Sequence, residues 1–305
     1  MISLILAKKI LSLFLVMALG IVLVRCGIVR SRDSKVLSMI SLYLVMPCVI
    51  ISSFQVKYQP EILNGLLLAL ATAVLLHLVL IVVVGFLGKV LKLDGVEETS
   101  LIYSNAGNLI IPIVTAILGK EWVIYTSAFL SVQLFLLWSH AKMKLCGEKG
   151  IDLKKILTNI NMIAIFAGVL LFLLQIQLPA PVQDAVDSIS SMVGPMGMLI
   201  LGMLIAEMKK LMSYHRLWWI TLLRLVGIPL IGIVLLKYSG LAALVPEGRT
   251  ILLVTLLAIC TPSASTLTQM AQVYGKDADY ASAINVVTTL LCIVTMPLMV
   301  ALYQM

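Results

Sequence analysis

Tyr103-Ser104-Asn105-Ala106-Gly107-Asn108-Leu109-Ile110-Ile111-Pro112 interrupts an apolar run, and Cys260-Thr261-Pro262-Ser263-Ala264-Ser265-Thr266-Leu267-Thr268-Gln269 interrupts another. Their prolines, Pro112 and Pro262, are 150 residues apart. A second pair, Pro47 and Pro195, is 148 apart, and all four lie in stretches long enough to cross a membrane. A helix interior normally excludes proline, which lacks a backbone donor and clashes with the preceding turn. Broken apolar spans at matching positions in two halves point to a transporter with an internal repeat and a site near mid-membrane.

The two pairs differ in their neighbours. Pro47 and Pro195 have apolar company and read as kinks that make room for crossing helices. Around Pro112 and Pro262 stand Asn, Ser and Thr side chains. In hydrocarbon every backbone polar group needs a partner, so non-helical backbone survives only inside protein or along a wet cavity. Proline suits the first turn of a helix, so Pro112 and Pro262 are each expected to begin an outer half-helix near the midplane. Such an N-terminus carries roughly +0.5 elementary charge and free N–H groups. Two of them facing each other favour an anion, above all a carboxylate.

Composition agrees with a membrane as solvent. Of 305 residues, 61% are hydrophobic and 12% charged, with a mean hydropathy of +1.12; soluble domains are about half apolar and a quarter charged. The net charge of +8 does not imply nucleic acid, because the basic residues lie in short loops without interleaved aromatics. Anionic lipid head groups are the expected counter-charge. The five cysteines are scattered and form no CxxC or Cys/His spacing, so neither a disulfide framework nor a metal site is expected. The first 25 residues read as a span rather than a cleaved signal, since no small-x-small site follows the apolar run.

Apolar runs fall at about 5–25, 36–55, 62–88, 98–118, 122–143, 156–177, 182–206, 216–237, 249–273 and 279–303, giving ten candidate helices. Fifteen Lys and Arg lie in the odd-numbered loops and six in the termini and even-numbered loops; Arg224 lies within a span. The positive-inside rule then puts the odd loops in the cytoplasm and both termini outside. Five spans per half insert in opposite senses, so the expected fold is an all-α polytopic membrane protein built from two inverted five-helix repeats, residues 1–150 and 151–305. Spans 4 and 9 are the broken ones.

The chain resembles the auxin efflux carrier family, in its short bacterial form, over essentially its whole length. The resemblance rests on Leu42-Tyr43-Leu44-Val45-Met46-Pro47, on Asn105 seven residues before Pro112, and on Arg224-Leu225 with Pro229. The closest match is the end: Tyr274-Gly275-Lys276-Asp277, Ala281-Ser282, Thr288-Thr289 and Thr295-Met296-Pro297. Ile110 stands where the family often has Gly, Met162 replaces an expected Pro after Asn161, and the long cytoplasmic loop of plant members is absent. The resemblance implies that helices 4 and 9 cross at the centre of a transport domain made of helices 3–5 and 8–10. Helices 1, 2, 6 and 7 form a scaffold, often dimeric. Substrates of similar carriers are small organic anions; auxin itself is not implied. Coupling is to H+ or Na+, and no cofactor is expected.

Expected substrate-binding residues are Asn105, Asn108, Pro112, Pro262, Ser263, Ser265, Thr266 and Gln269. Asn105 either donates to a substrate carboxylate or caps the broken backbone. Ser and Thr also bond back readily to their own helix. Gating or coupling candidates are Arg224, His77, Asn285 and Thr289. A charged residue within a span is functional by default, although Arg224 is close enough to a span end to snorkel, and a structural or gating role suits it best. An unperturbed histidine titrates at about 6.5, so His77 either relays a proton or stays neutral against a neighbouring helix. Asn285 and Thr289 share one helix face and serve equally as helix glue. The expected function is secondary transport of a small organic anion across the cell membrane, with a sodium-coupled bile-acid-type symporter as the alternative. A receptor or an enzyme is the other class, but there is no metal constellation and no convincing Ser/His pair. The missing P-loop excludes an ATP-driven pump within the chain.

Overall fold

The computed structural model describes residues 2–55, 59–146, 154, 157–206 and 214–305. Among them the fold is helical, apart from one isolated β-bridge. In chain order the helices are α1 (Ile2–Arg25), α2 (Ser34–Ile40), α3 (Met46–Ser53), α4 (Pro60–Leu91), α5 (Gly95–Ile102), α6 (Ala106–Ile117), α7 (Val123–Leu136) and α8 (Lys142–Cys146). The second half continues with α9 (Ile160–Leu173), α10 (Ala180–Ser190), α11 (Val193–Ala206), α12 (Leu217–Leu222), α13 (Ile228–Tyr238), α14 (Gly248–Cys260), α15 (Ser265–Val273) and α16 (Ala278–Gln304). Every apolar run of the sequence contains helix.

Among the described residues, six helical stretches are long and apolar enough to cross a membrane: Ser31–Ser53, Pro60–Leu91, Lys120–Leu145, Ala180–Ala206, Leu217–Tyr238 and Ala278–Gln304. The fourth and ninth runs fall short because each is cut in two. The longest helix, α4, has 32 residues, about 48 Å at the usual rise. That exceeds a hydrocarbon layer of roughly 30 Å and requires tilt. Its surface divides lengthwise. Leu67, Val74, Leu78, Val82, Phe86 and Val90 form an exposed apolar stripe, while Thr72, Leu76, His77, Leu80 and Val84 are buried against protein. An outward stripe with that chemistry suits lipid, not water.

Local signals set several ends. Asp94 and Glu97 form a reciprocal capping box at the start of α5, with Glu97 N–H donating to Asp94 Oδ1 at 2.8 Å and Asp94 N–H to Glu97 Oε2 at 3.0 Å. Asp277 accepts the Tyr280 N–H at 2.8 Å to open α16. π-helical turns at Ser41–Val45, Leu137–Ala141 and Leu223–Gly227 interrupt the second, fifth and eighth spans. Pro47 and Pro229 each sit in the first turn after such a π turn, and Pro195 in the first turn of α11 after the break at Ser191–Met192. The π turn just before Pro47 and Pro229, and the break before Pro195, take up the distortion a proline ring imposes on the preceding turn.

Two sets of helices pack among themselves. α1 lies along α11, and α3 packs on α9 and α10. α4 packs on α7 and α14, and α14 and α15 pack on α16. Across the seam between the sets α6 meets α1 and α11, α16 meets α1, and α7 meets α3 and α9. Gly20 and Gly202 let α1 and α11 touch backbone to backbone: a Cβ on Gly20 would lie 2.5 Å from the Leu199 carbonyl, and one on Gly202 would collide with that of Met17. Small residues at such a crossing are the usual basis of close helix association in lipid. Gly202→Leu is expected to push α1 off α11, with overpacking on the order of 1–3 kcal/mol or more. The check is the thermal midpoint of purified protein in detergent, where Gly202→Leu should melt clearly below a control such as Gly85→Leu, whose added Cβ meets nothing within 4 Å.

Candidate functional site

Two non-helical stretches meet where the fourth and ninth spans cross. α5 ends at Ile102 and α6 begins at Ala106; α14 ends at Cys260 and α15 begins at Ser265. The backbone between is extended, with Tyr103 at φ −95°, ψ 128° and Thr261 at φ −67°, ψ 157°. Ser104 and Ser263 oppose each other as an antiparallel bridge. The Asn105 N–H donates to the Pro262 carbonyl at 2.8 Å, and the Ala264 N–H to the Tyr103 carbonyl at 3.1 Å. Each break supplies backbone partners that the other lacks.

Side chains complete the pairing. Gln133 on α7 accepts from the Ser104 N–H at 3.1 Å and its hydroxyl at 2.7 Å, and donates Nε2 to the Ser104 carbonyl at 2.8 Å. On the other strand the Ser263 N–H donates to Thr288 Oγ1 at 3.2 Å, and Asn285 Nδ2 to the Ser263 carbonyl at 2.9 Å. One amide from the fifth span and two side chains from the tenth therefore do matching work.

Arg224 occupies one flank of the crossing. It lies in the π turn of the eighth span and is 0% exposed. Its guanidinium donates to the carbonyls of Leu101 at 2.8 Å, Thr261 at 2.7 Å and Ile259 at 3.2 Å. These carbonyls close the C-terminal ends of α5 and α14, the negative ends of both helices, where a cation is stabilised. The other flank has opposite polarity, because α6 and α15 begin there. First-turn N–H groups have no partner within their own helix. Ser265 Oγ donates to Asn105 Oδ1 at 3.3 Å across this flank.

The structure brings together Asn105, Pro262, Ser263, Ser265, Asn285 and Arg224. Thr266 follows Ser265 on α15 and is partly exposed. Thr289 is buried and bonds back to the Asn285 carbonyl at 2.7 Å. His77 on α4 lies beside the break, its ring 6.4 Å from that of Tyr103 and 4.9 Å from that of Phe129, with Nδ1 2.8 Å from the Ala73 carbonyl. The side chains of Asn108, Pro112 and Gln269 lie outside the described residues, as do Lys57, Lys149, Lys155, Lys209 and Lys210 of the loop charges.

One expectation is corrected. Neither proline of the broken spans starts a half-helix. Pro112 is the seventh residue of α6, and Pro262 lies in the extended stretch, three residues before α15. The restart points follow the backbone pairing between Ser104 and Ser263, which leaves Asn105 and Ala264 as the N-caps. Pro262 contributes its carbonyl to that pairing and has no N–H to leave unpaired. Pro112 instead removes one donor from the interior of α6.

Sequence reading also missed residues that matter. Gln133 and Thr288 are polar groups inside apolar spans, and that alone marks them. A cavity of about 510 Å3 opens where α1, α3, α6, α10 and α11 meet, lined on α6 by Ile111 and Thr115 and also by Ser52, Lys120, Asp187 and Ser190. Asp187 is an acid five residues into the seventh apolar run.

Gln133→Leu strands both backbone groups of Ser104, at about 1–3 kcal/mol for each buried group left unpaired. The thermal midpoint in detergent is expected to fall by several degrees. Arg224→Met is expected to fall further, since four carbonyls (Pro262 the fourth, at 3.4 Å) and two helix ends lose one cation, with Arg224→Lys between it and the wild type. Unchanged midpoints would mean that the crossing is not held as described.

Among protein-family models the chain matches one described as membrane transport protein, once over residues 5–150 and again over 149–300. No curated protein matches it. The two matches together cover nearly the whole sequence. With the broken fourth and ninth spans paired at their crossing, the chain belongs to this membrane transport protein family, the auxin efflux carrier family that its motifs resemble.

Proposed function

We propose that the protein is a secondary active transporter that moves a small organic anion, a carboxylate, across the cell membrane by alternating access. The observation that carries this reading is the polarity of the crossing. Arg224 neutralises the carbonyl ends on one flank, while α6 and α15 begin together on the other, beside Asn105 and Ser265. An anion placed there meets two helix N-termini and side-chain donors.

The wider picture belongs to the same reading. Ten helices form two inverted repeats, residues 1–150 and 151–305, with both termini outside. Helices 1, 2, 6 and 7 are the scaffold and the basis of a homodimer; helices 3–5 and 8–10 move as the transport domain. The two sets of mutually packed helices support this division. Asn105, Asn108, Ser263, Ser265, Thr266 and Gln269 flank the anion, with Pro112 and Pro262 shaping the backbone. Asn285 and Arg224 hold the crossing, and His77 and Thr289 are the candidates for coupling to H+ or Na+.

The test is Asn105→Ala. Purified protein is screened by thermal shift against acetate, benzoate and succinate, then reconstituted for uptake under imposed proton and sodium gradients. The variant is expected to remain monodisperse, to lose carboxylate-induced stabilisation, and to lose uptake at least tenfold, the scale of one charge-assisted hydrogen bond. Uptake at the wild-type rate would put the site elsewhere. Dependence on one gradient alone would identify the coupling ion.

A further inference from the structure

Three ion pairs stand out among the described residues, and they divide by place. Arg216–Glu97 at 3.0 Å and Lys144–Glu98 at 2.5 Å tie together the helices that pack around the crossing. Lys120–Asp187, at 2.9 Å, joins the loop between α6 and α7 to α10. It thus spans the seam between the two sets of helices, beside the 510 Å3 cavity that both ions line.

The two partners are anchored unequally. Asp187 Oδ1 also accepts from Ser52 Oγ at 2.5 Å and from Gln183 Nε2 at 2.9 Å. Ser52 lies on α3 and Gln183 on α10 itself, so both donors belong to the α10 side of the seam. When the sets part, Asp187 keeps two hydrogen bonds. Lys120 leaves on the other body, with its side chain already 58% exposed. A half-exposed pair of this kind is weak, so it biases an equilibrium between conformers without locking it.

We propose that Lys120 and Asp187 form a gate over this cavity, closed by their ion pair in the present conformation, and that an incoming carboxylate opens it by competing with Asp187 for Lys120. Lys120 is then the first cation an anionic substrate meets, and the cavity leads it along Thr115 and Ile111 towards the crossing. This rests on the reading that the two sets of helices move relative to one another. It adds an entry residue and a gate to the site at Asn105.

The experiment follows access to the cavity in the full chain, reconstituted in vesicles. Thr115→Cys places a thiol in the cavity wall, and its alkylation by a charged, membrane-impermeant maleimide is timed by mass spectrometry at that position. Asp187→Asn is expected to speed labelling about two- to fivefold, the range available to an exposed pair. Benzoate is expected to speed it in the otherwise unaltered chain relative to chloride at matched ionic strength. The exchanged pair, Lys120→Asp with Asp187→Lys, should restore slow labelling, because Gln183 Oε1 has no hydrogen-bond partner and can accept from the new lysine. Benzoate should still speed labelling in that variant, because it competes with the relocated carboxylate for the relocated lysine; in Lys120→Gln with Asp187→Asn, which holds no ion pair, it should have no effect.

Labelling indifferent to Asp187→Asn, or not slowed again by the exchange, overturns the gate. Acceleration by benzoate that persists when both charges are removed, in Lys120→Gln with Asp187→Asn, overturns the competition. Asn105→Ala separates this from the transport reading: uptake abolished with gate labelling unchanged keeps both. Labelling that obeys the charges while no carboxylate is taken up keeps the gate and removes the substrate.

Discussion

Unpaired backbone in a membrane interior is the constraint on which this structure turns. Two spans are broken, and each break would expose several N–H and carbonyl groups where no water can reach them. The solution is mutual. Ser104 and Ser263 pair as a single antiparallel bridge, and Asn105 and Ala264 donate to carbonyls of the opposite break. Gln133, Asn285 and Thr288 take what remains. Arg224, fully buried, is tolerable because carbonyls at two helix ends surround its guanidinium. Removing any of these strands a polar group that has no other partner, so they hold or fail together.

That pairing also fixes the polarity of the site. Once a cation sits at the C-terminal ends of α5 and α14, the opposite flank is left with two helix beginnings and no acid among the residues that hold the crossing. The proposed preference for an anion follows from backbone geometry more than from any single side chain. This explains how such a site is built from Asn, Ser and Thr with so little charge. The seam beside α6 adds the one element the crossing lacks, a lysine whose charge is held in check by Asp187 on the other side.

Much of this was legible in the sequence. Each hydrophobic run holds helix among the described residues, because the demand for apolar length is strong and local. The breaks were legible as polar clusters, and Asn105, Ser263 and Ser265 were found because Asn and Ser are conspicuous among Leu, Ile and Val. The prolines misled about the restart points, since the start of a half-helix is set by the register between two segments 150 residues apart. Gln133, Thr288, Lys120 and Asp187 act through partners far away in the chain: Gln133 with Ser104, Thr288 with Ser263, Lys120 with Asp187. Periodicity carries no information about such pairs, although a lone polar residue inside an apolar span is a usable signal for the first two.

The central claim is that a carboxylate binds at the crossing, against the first turns of α6 and α15. The most direct measurement is a crystal structure of the protein grown in lipid with 4-bromobenzoate, in which the bromine is located by its anomalous signal. The account predicts one strong peak beside the crossing, with the carboxylate within hydrogen-bonding distance of Asn105 and of the helix N-termini. A bromine peak found only in an outer apolar groove, or a carboxylate held by groups remote from Asn105 and Ser265, would contradict it.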